Sequence, residues 1–215
     1  NLNVTIKNVK DDKYYFYYII NISYFLPDIT NNTNITNTGS FYPSFTWIKK
    51  RSAAASHTLF DTIRGATNFL VSDSTGAETT AVNSLTAFNS NGFTLGNGSG
   101  VNTNDSGSTY VAWQWNANNG NTSSNTSGTI TSTVSVNTTA GFSIVTYTGN
   151  SNAAATVGHG LGVTPSMIIV KNRSSTVSSG NWNVWHTSIG TTKNLELNTT
   201  IAASTTSTFG YGIVY

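Results

Sequence analysis

Cysteine is absent from all 215 residues. That excludes disulfides, thiolate nucleophiles and cysteine-based metal centres, and leaves packing and ladder hydrogen bonds to hold the fold. Charge is nearly as scarce: Asp, Glu, Lys and Arg make up 8% of the chain, against about 25% in an average soluble domain. With a net charge of +2 and no basic run longer than Lys49-Lys50-Arg51, the sequence lacks the broad cationic face of a nucleic-acid binder. The most apolar run, Tyr14–Leu26, falls short of the roughly 20 residues that a membrane helix needs. No signal-peptide pattern opens the chain, which starts at Asn1 rather than Met, so an upstream portion is expected.

The acid–base inventory is equally thin, at eight carboxylates and three histidines. Asp11 with Asp12 and Asp73 with Glu78 are the near carboxylate pairs, and both sit in polar stretches rather than flanking a cleft as a glycosidase pair must. His57 and Asp61 would share one face of a strand, but a repeat described below replaces that Asp by His186, which weakens a triad reading. The stretch Asn102-x-Asn104-x-Ser106-Gly107 imitates the opening of a calcium loop. It lacks the leading Asp and the distal Glu, and Asp105 alone cannot hold calcium tightly. Gly158-His-Gly-Leu-Gly162 misses the dinucleotide spacing and leads into a strand, so His159 reads as a turn residue. No catalytic residue, cofactor or metal site is expected.

What the chain does have is Ser, Thr and Asn in abundance, 12% aromatics, and a pattern stated twice. Pro43-Ser-Phe-Thr-Trp-Ile-Lys-Lys-Arg51 returns as Pro165-Ser-Met-Ile-Ile-Val-Lys-Asn-Arg173, 122 residues later (165 − 43). Four apolar or β-branched residues after a proline read as a strand covered on both faces, with the proline at its first position. The echo continues from Asp61–Leu70 to His186–Leu195, now at an offset of 125 (186 − 61), so the Ser-rich link Ser174–Gly180 has gained residues that a hairpin loop absorbs at little cost. The copies share punctuation but not charge, since Asp61 and Arg64 become His186 and Ile189. This is one β architecture used in tandem.

The predicted organisation is an N-terminal strand or interface segment over 1–40, a first unit over 41–117, a flexible Asn/Ser/Thr/Gly linker over 118–128 and a second unit over 129–215. Within the first, the expected strands are His57–Asp61, Asn68–Val71, Leu85–Phe88, Gly92–Gly96 and Tyr110–Trp115, the third and fourth joined by an Asn-Gly turn. Asn31–Gly39 reads as a polar loop. Tyr110, Ala112 and Gln114 should share one face of the closing strand, and Val111, Trp113 and Trp115 the other. The second unit lacks counterparts of Gly92–Gly96 and Tyr110–Trp115. Tyr14, Tyr15, Phe16, Tyr17 and Tyr18 are aromatic at every position and must be covered on both sides, which makes them the candidate subunit interface.

Trp47–Ser52, Ser56–Gly65, Gly92–Gly96 and Tyr110–Trp115 together resemble a repeat family common in marine phages, and Gly141–Arg173 is similar to that family's lead-in. The resemblance implies concanavalin A/laminin-G-like or jelly-roll β-sandwich units in virion structural or tail-fibre proteins. It carries over no catalytic residues. The expected fold is therefore all-β, with two tandem β-sandwich units, the second short of its closing strands.

Two functions follow as expectations. The first is a non-enzymatic, self-assembling surface protein of a virion (fibre, spike or decoration) or an extracellular filament, with itself and other virion proteins as partners, and with neither nucleic acid nor membrane insertion. The second is an adhesin that binds host-surface glycan through Trp113, Trp115, Asn102, Asn104 and Asp105. Ring exposure separates them: buried tryptophans at 113, 115, 182 and 185 favour the first, and a coplanar exposed pair the second.

Overall fold

A computed structural model describes residues 19–22, 33–38, 41–98, 100–174, 180–205 and 213–214. The regular elements among the described residues are strands and short 3-10 turns. The first nine strands are β1 (Ile19–Ile22), β2 (Thr33–Thr36), β3 (Phe45–Lys50), β4 (Thr58–Asp61), β5 (Asn68–Val71), β6 (Thr79–Thr80), β7 (Leu85–Asn89), β8 (Gly92–Leu95) and β9 (Tyr110–Trp115). They make a six-stranded sheet in the order β1-β9-β3-β4-β5-β6 and a three-stranded sheet β2-β8-β7.

The two-residue period of β3 and β9 explains why these sheets stack. Thr46 and Ile48, with Tyr110, Ala112 and Gln114 across the ladder, are buried, whereas Phe45, Trp47, Trp113 and Trp115 between them are only half-buried. Ile48, Phe60, Tyr110 and Ala112 from the large sheet pack on Ile35, Leu85, Phe93 and Leu95 from the small one. This is a β-sandwich with its core between the sheets.

The second unit contains β10 (Ser123–Asn125), β11 (Ser132–Asn137), β12 (Phe142–Thr146), β13 (Val157–Gly158), β14 (Met167–Lys171), β15 (Trp182–His186), β16 (Lys193–Glu196), β17 (Ser204–Thr205) and β18 (Ile213–Val214). Its main sheet runs β14-β15-β16-β17, beside a three-stranded sheet β10-β11-β12 and the pair β13-β18.

The two meanders, β3 to β6 and β14 to β17, have one register. Phe45 faces Asp61 and Ile48 faces Thr58 in the first; Met167 faces His186 and Val170 faces Asn183 in the second. Thr58 faces Val71 as Asn183 faces Glu196, and Asn68 faces Thr80 as Lys193 faces Thr205. Every pair maps onto its partner by adding 122 on the first strand and 125 on the rest. Turns repeat as well: Thr62 N donates to Ser44 O at 2.9 Å and Thr187 N to Ser166 O at 2.9 Å. Gly65 and Gly190 both take positive φ, 89° and 75°. The duplication read from the sequence is thus a duplication of hydrogen-bond ladders.

Three stretches differ from their sequence readings. Asn31–Gly39 contains β2, whose Ile35 enters the core while Asn34 Oδ1 accepts from Thr94 Oγ1 at 2.7 Å. A strand with one apolar residue gives almost no alternation to detect. Asn116–Gly128, read as a flexible linker, holds a 3-10 turn at Asn118–Gly120 and then β10. Its polar side chains supply the turn: Asn116 Oδ1 accepts from Asn119 N at 3.0 Å, and Gly120 N donates to Ser44 Oγ at 3.2 Å. Lastly, the two described strands of the segment 1–40 complete the first sandwich, β1 pairing with β9 and β2 with β8.

Among the described residues β14 is the outermost strand of its sheet, whereas β3 is enclosed by β9 and β4. The pair β13–β18 is parallel. Unit one holds the corresponding strands, β2 and β7, on either side of β8 and antiparallel to it.

The Asn91-Gly92 turn yields a test. Gly92 has φ 136°, and a Cβ there would stand 1.8 Å from Ile35 O on β2. Gly92→Ala should cost about 3 kcal/mol through backbone strain and separation of β2 from β8. It should lower the urea midpoint with an unchanged m-value; an unshifted midpoint would count against this packing.

Candidate functional site

The outer face of the six-stranded sheet gathers the residues most capable of contacting a partner. Alternation places Phe45 and Trp47 of β3, Leu59 of β4, Leu70 of β5, and Trp113 and Trp115 of β9 on it, away from the sandwich core. Aromatic pairs form along the ladder. Phe45 meets Trp115 at 5.3 Å and 60°, and Trp47 meets Trp113 at 6.3 Å and 74°, both edge to face.

Much of this face is covered by the second unit. Trp182, 6% exposed, packs on Leu59 and Leu70 with Phe45 and Trp47 alongside, and its Nε1 donates to Val71 O at 2.9 Å. Phe142 of β12 lies 6.2 Å from Phe45 and 6.0 Å from Trp115. An indole whose ring is buried and whose N–H is satisfied makes a specific plug, because both halves of its amphipathic chemistry are used.

An ion cluster seals the edge of the same seam. Arg64, its side chain 4% exposed, pairs through Nε with Asp61 and through Nη1 with Glu78 at 3.0 Å, and its Nη2 donates to Leu59 O at 2.9 Å. Glu78 then reaches into the second unit: Oε1 pairs with Arg173 at 3.1 Å, while Glu78 N donates to Arg173 O at 2.9 Å. Lys171 Nζ donates to Thr75 O at 3.1 Å, and desolvation lowers the pKa of this ammonium. Sequence reasoning gave neither Trp182 nor the Arg64–Glu78–Arg173 chain this role. The signals were faint: Glu78 stood out only as half of a carboxylate pair, and Arg173 lies 95 residues away.

His57 sits at the rim of the aromatic face. It stacks on Trp113 at 6.5 Å with planes 6° apart, and its Nδ1 accepts from Trp47 Nε1 at 2.9 Å. The ring is therefore neutral with its proton on Nε2. Burial, then the Lys49 ammonium, lowers its pKa, with Asp73 opposing. Asp61 is engaged by Arg64 rather than by His57, so the two do not form a catalytic pair.

The loop Asn102–Asp105 lies elsewhere. Asp105 Oδ2 pairs with Lys50 at 3.0 Å, Asp105 N donates to Tyr110 Oη at 2.8 Å, and Asn104 Nδ2 donates to Gly96 O at 2.6 Å. Burial pushes the Tyr110 phenol up to about 12. Lys50 and Tyr110 mark one end of the β3–β9 ladder, and Phe45 and Trp115 the other, about 17 Å away at the usual rise per residue. Trp113 and Trp115 also face away from Tyr110. The five residues Asn102, Asn104, Asp105, Trp113 and Trp115 are thus not brought into one site. Trp182 and Trp185 are 6% and 4% exposed, and Trp185 Nε1 is bonded to Gly190 O at 2.8 Å. Tyr14–Tyr18 lie outside the described residues. Among the described residues no three His, Asp or Glu side chains gather as a metal site.

Two outcomes follow from this seam. Trp182→Ala should cost about 3–5 kcal/mol and uncouple the units, splitting one calorimetric transition into two; a single transition at the parental temperature would argue against the plug. Because the His57 pKa is lowered on folding, unfolded chains take up its proton first as pH falls. Its contribution is present above the unfolded value of about 6.5 and lost below it. Trp emission should change as the pH is taken below about 6.5 and Trp47 loses its acceptor, and His57→Leu should flatten that change; an identical profile in the variant would refute it.

No curated protein and no solved structure matches this chain. A family model does, over residues 18–213, from β1 through the last described strand. Since that match takes in both sandwich sheets, the seam and the second meander together, the chain belongs to the family described as Domain of unknown function (DUF7483).

Proposed function

We propose that this protein is a non-enzymatic structural subunit that assembles with copies of itself on a virion surface, as fibre, spike or decoration, or in an extracellular filament. The observation that carries the self-assembly is an asymmetry between equivalent positions. Unit one buries Leu70 and half-buries Phe45 and Trp47. Unit two leaves their counterparts Leu195, Met167 and Ile169 37%, 45% and 39% exposed. Tyr147, Val163, Leu197 and Ile201 of unit two are exposed as well, whereas Val82 is the one large apolar residue exposed in unit one among the described residues. An apolar face of this kind on a scaffold otherwise coated with hydroxyls and amides marks a place where another surface belongs. The virion or filament setting is supported by the resemblance of the repeated motifs to phage fibre proteins and by the uncharged polar composition. Glycan recognition draws no comparable support, because Trp113 and Trp115 meet neighbouring rings and stand apart from the Asn102–Asp105 loop.

Light scattering after size exclusion, with negative-stain microscopy of the same fractions, tests the proposal. Masses that are multiples of the 22.9 kDa chain, with regular particles or filaments, are the expected result. A monomer at every soluble concentration, together with tight binding to immobilised glycans, would replace it with the adhesin reading.

A further inference from the structure

Positions 57 and 182 are equivalents under the 125-residue offset (182 − 57), and both belong to the seam between the units. Unit two places the plug there, Trp182. Unit one places a histidine that touches both of the plug's holds. Trp47, which packs on the Leu59–Leu70–Trp182 cluster, donates its Nε1–H to His57 Nδ1 at 2.9 Å. Val71, whose oxygen takes the Trp182 indole N–H, is followed by Ser72, whose N donates to His57 O at 3.2 Å. Three neighbouring elements set the charge around the ring. From β3 comes the Lys49 ammonium, held on Ala55 O at 2.5 Å; from the turn after β5 comes Asp73; from β9 comes Trp113, which is uncharged. Burial and then Lys49 outweigh Asp73, so the imidazole stays neutral.

A proton arriving at Nδ1 occupies the lone pair that receives Trp47, and leaves two N–H groups pointing at one another. The imidazolium fits only when the Trp47 indole moves away, and that indole is a wall of the site Trp182 fills. We infer that the seam is an acid-released latch: protonation of His57 at Nδ1 expels the Trp47 N–H, opens the wall beside Trp182 and lets the two units part with their own sheets intact. This regulation is separate from self-assembly and does not rest on it. The latch is closed above the unfolded value of about 6.5 and gives way as the pH falls through the lower value of the folded ring. The other two histidines are tied inside unit two. His159 Nδ1 accepts from Leu161 N at 3.1 Å, and His186 Nδ1 from Ser188 N at 3.1 Å, each within a local turn. A proton on His57 thus biases one element with two arrangements, packed and parted.

The absence of cysteine makes the test direct, since introduced thiols are unique. Dyes on Val82→Cys and Ile201→Cys, exposed in units one and two, report the separation of the units by energy transfer in the full chain. Labelled chains diluted into unlabelled ones read single molecules, whether or not the protein assembles. The pH is lowered stepwise from about 7.5 to the ordinary carboxylate range near 4. Transfer should shift in one reversible step below about 6.5, while the far-ultraviolet circular dichroism of the strands stays constant. Two further substitutions in the labelled chain isolate the latch. His57→Asn keeps an acceptor for Trp47 but cannot take up the proton, and Trp47→Phe keeps a ring but removes the N–H. Each should lose the step, with circular dichroism at pH 7.5 matching the parent, and His159→Asn should retain it. A parent that shows no step above the carboxylate range would overturn the latch. So would a step that survives in His57→Asn or Trp47→Phe, or one that His159→Asn abolishes.

Discussion

A sheet that is apolar on both faces cannot stop at one sandwich. The six-stranded sheet turns Ile48, Phe60 and Ala112 toward its own core and Phe45, Trp47, Leu59 and Leu70 outward. Those outward rings and aliphatic chains must also leave water. Trp182 and Phe142 of the second unit meet this requirement, with the Arg64–Glu78–Arg173 chain closing the margin. Two tandem copies are therefore an energetic pair. The first is completed by the second, which docks through Trp182 on the same face of its sheet as Met167, Ile169 and Leu195.

The copies diverged where chemistry is local and stayed alike where it is shared. Asp61 caps the turn after β4 by accepting from Arg64 N at 2.9 Å, and its counterpart His186 does so with Nδ1 from Ser188 N at 3.1 Å. A carboxylate and an imidazole thus perform one structural task. The ion pair that Asp61 also makes with Arg64 has no equivalent at His186 and Ile189, because the seam it supports is present once. Charge was retained where the two units touch.

How much of this was legible follows from what each feature leaves in sequence. The two offsets fixed the correspondence of the meanders because ladder register permits no slip: a one-residue shift would turn Trp47 inward and Ile48 outward. The faces of β9 could be read from its alternation for the same reason. β2 could not, since a strand of Thr and Asn with one Ile has no apolar rhythm, and its place in the core depends on Phe93 and Leu95 far along the chain. β10 was masked by a composition that suits loops, although Asn and Ser side chains are also what close its turns. The candidate glycan residues were united by residue type, and the fold separates them because face and strand end are tertiary properties. Trp182 looked like any aromatic of a hydrophobic strand; its partners Leu59 and Leu70 lie in the other copy.

The difference between the two offsets has one more consequence. Three residues (125 − 122) entered between β14 and β15, yet all five pairs of that hairpin continue the register of β3 and β4. Length at this connection and pairing in the sheet are thus independent variables. The same scaffold carries connections of two sizes and compositions within one chain, without renegotiating the ladder pairs that the two hairpins share.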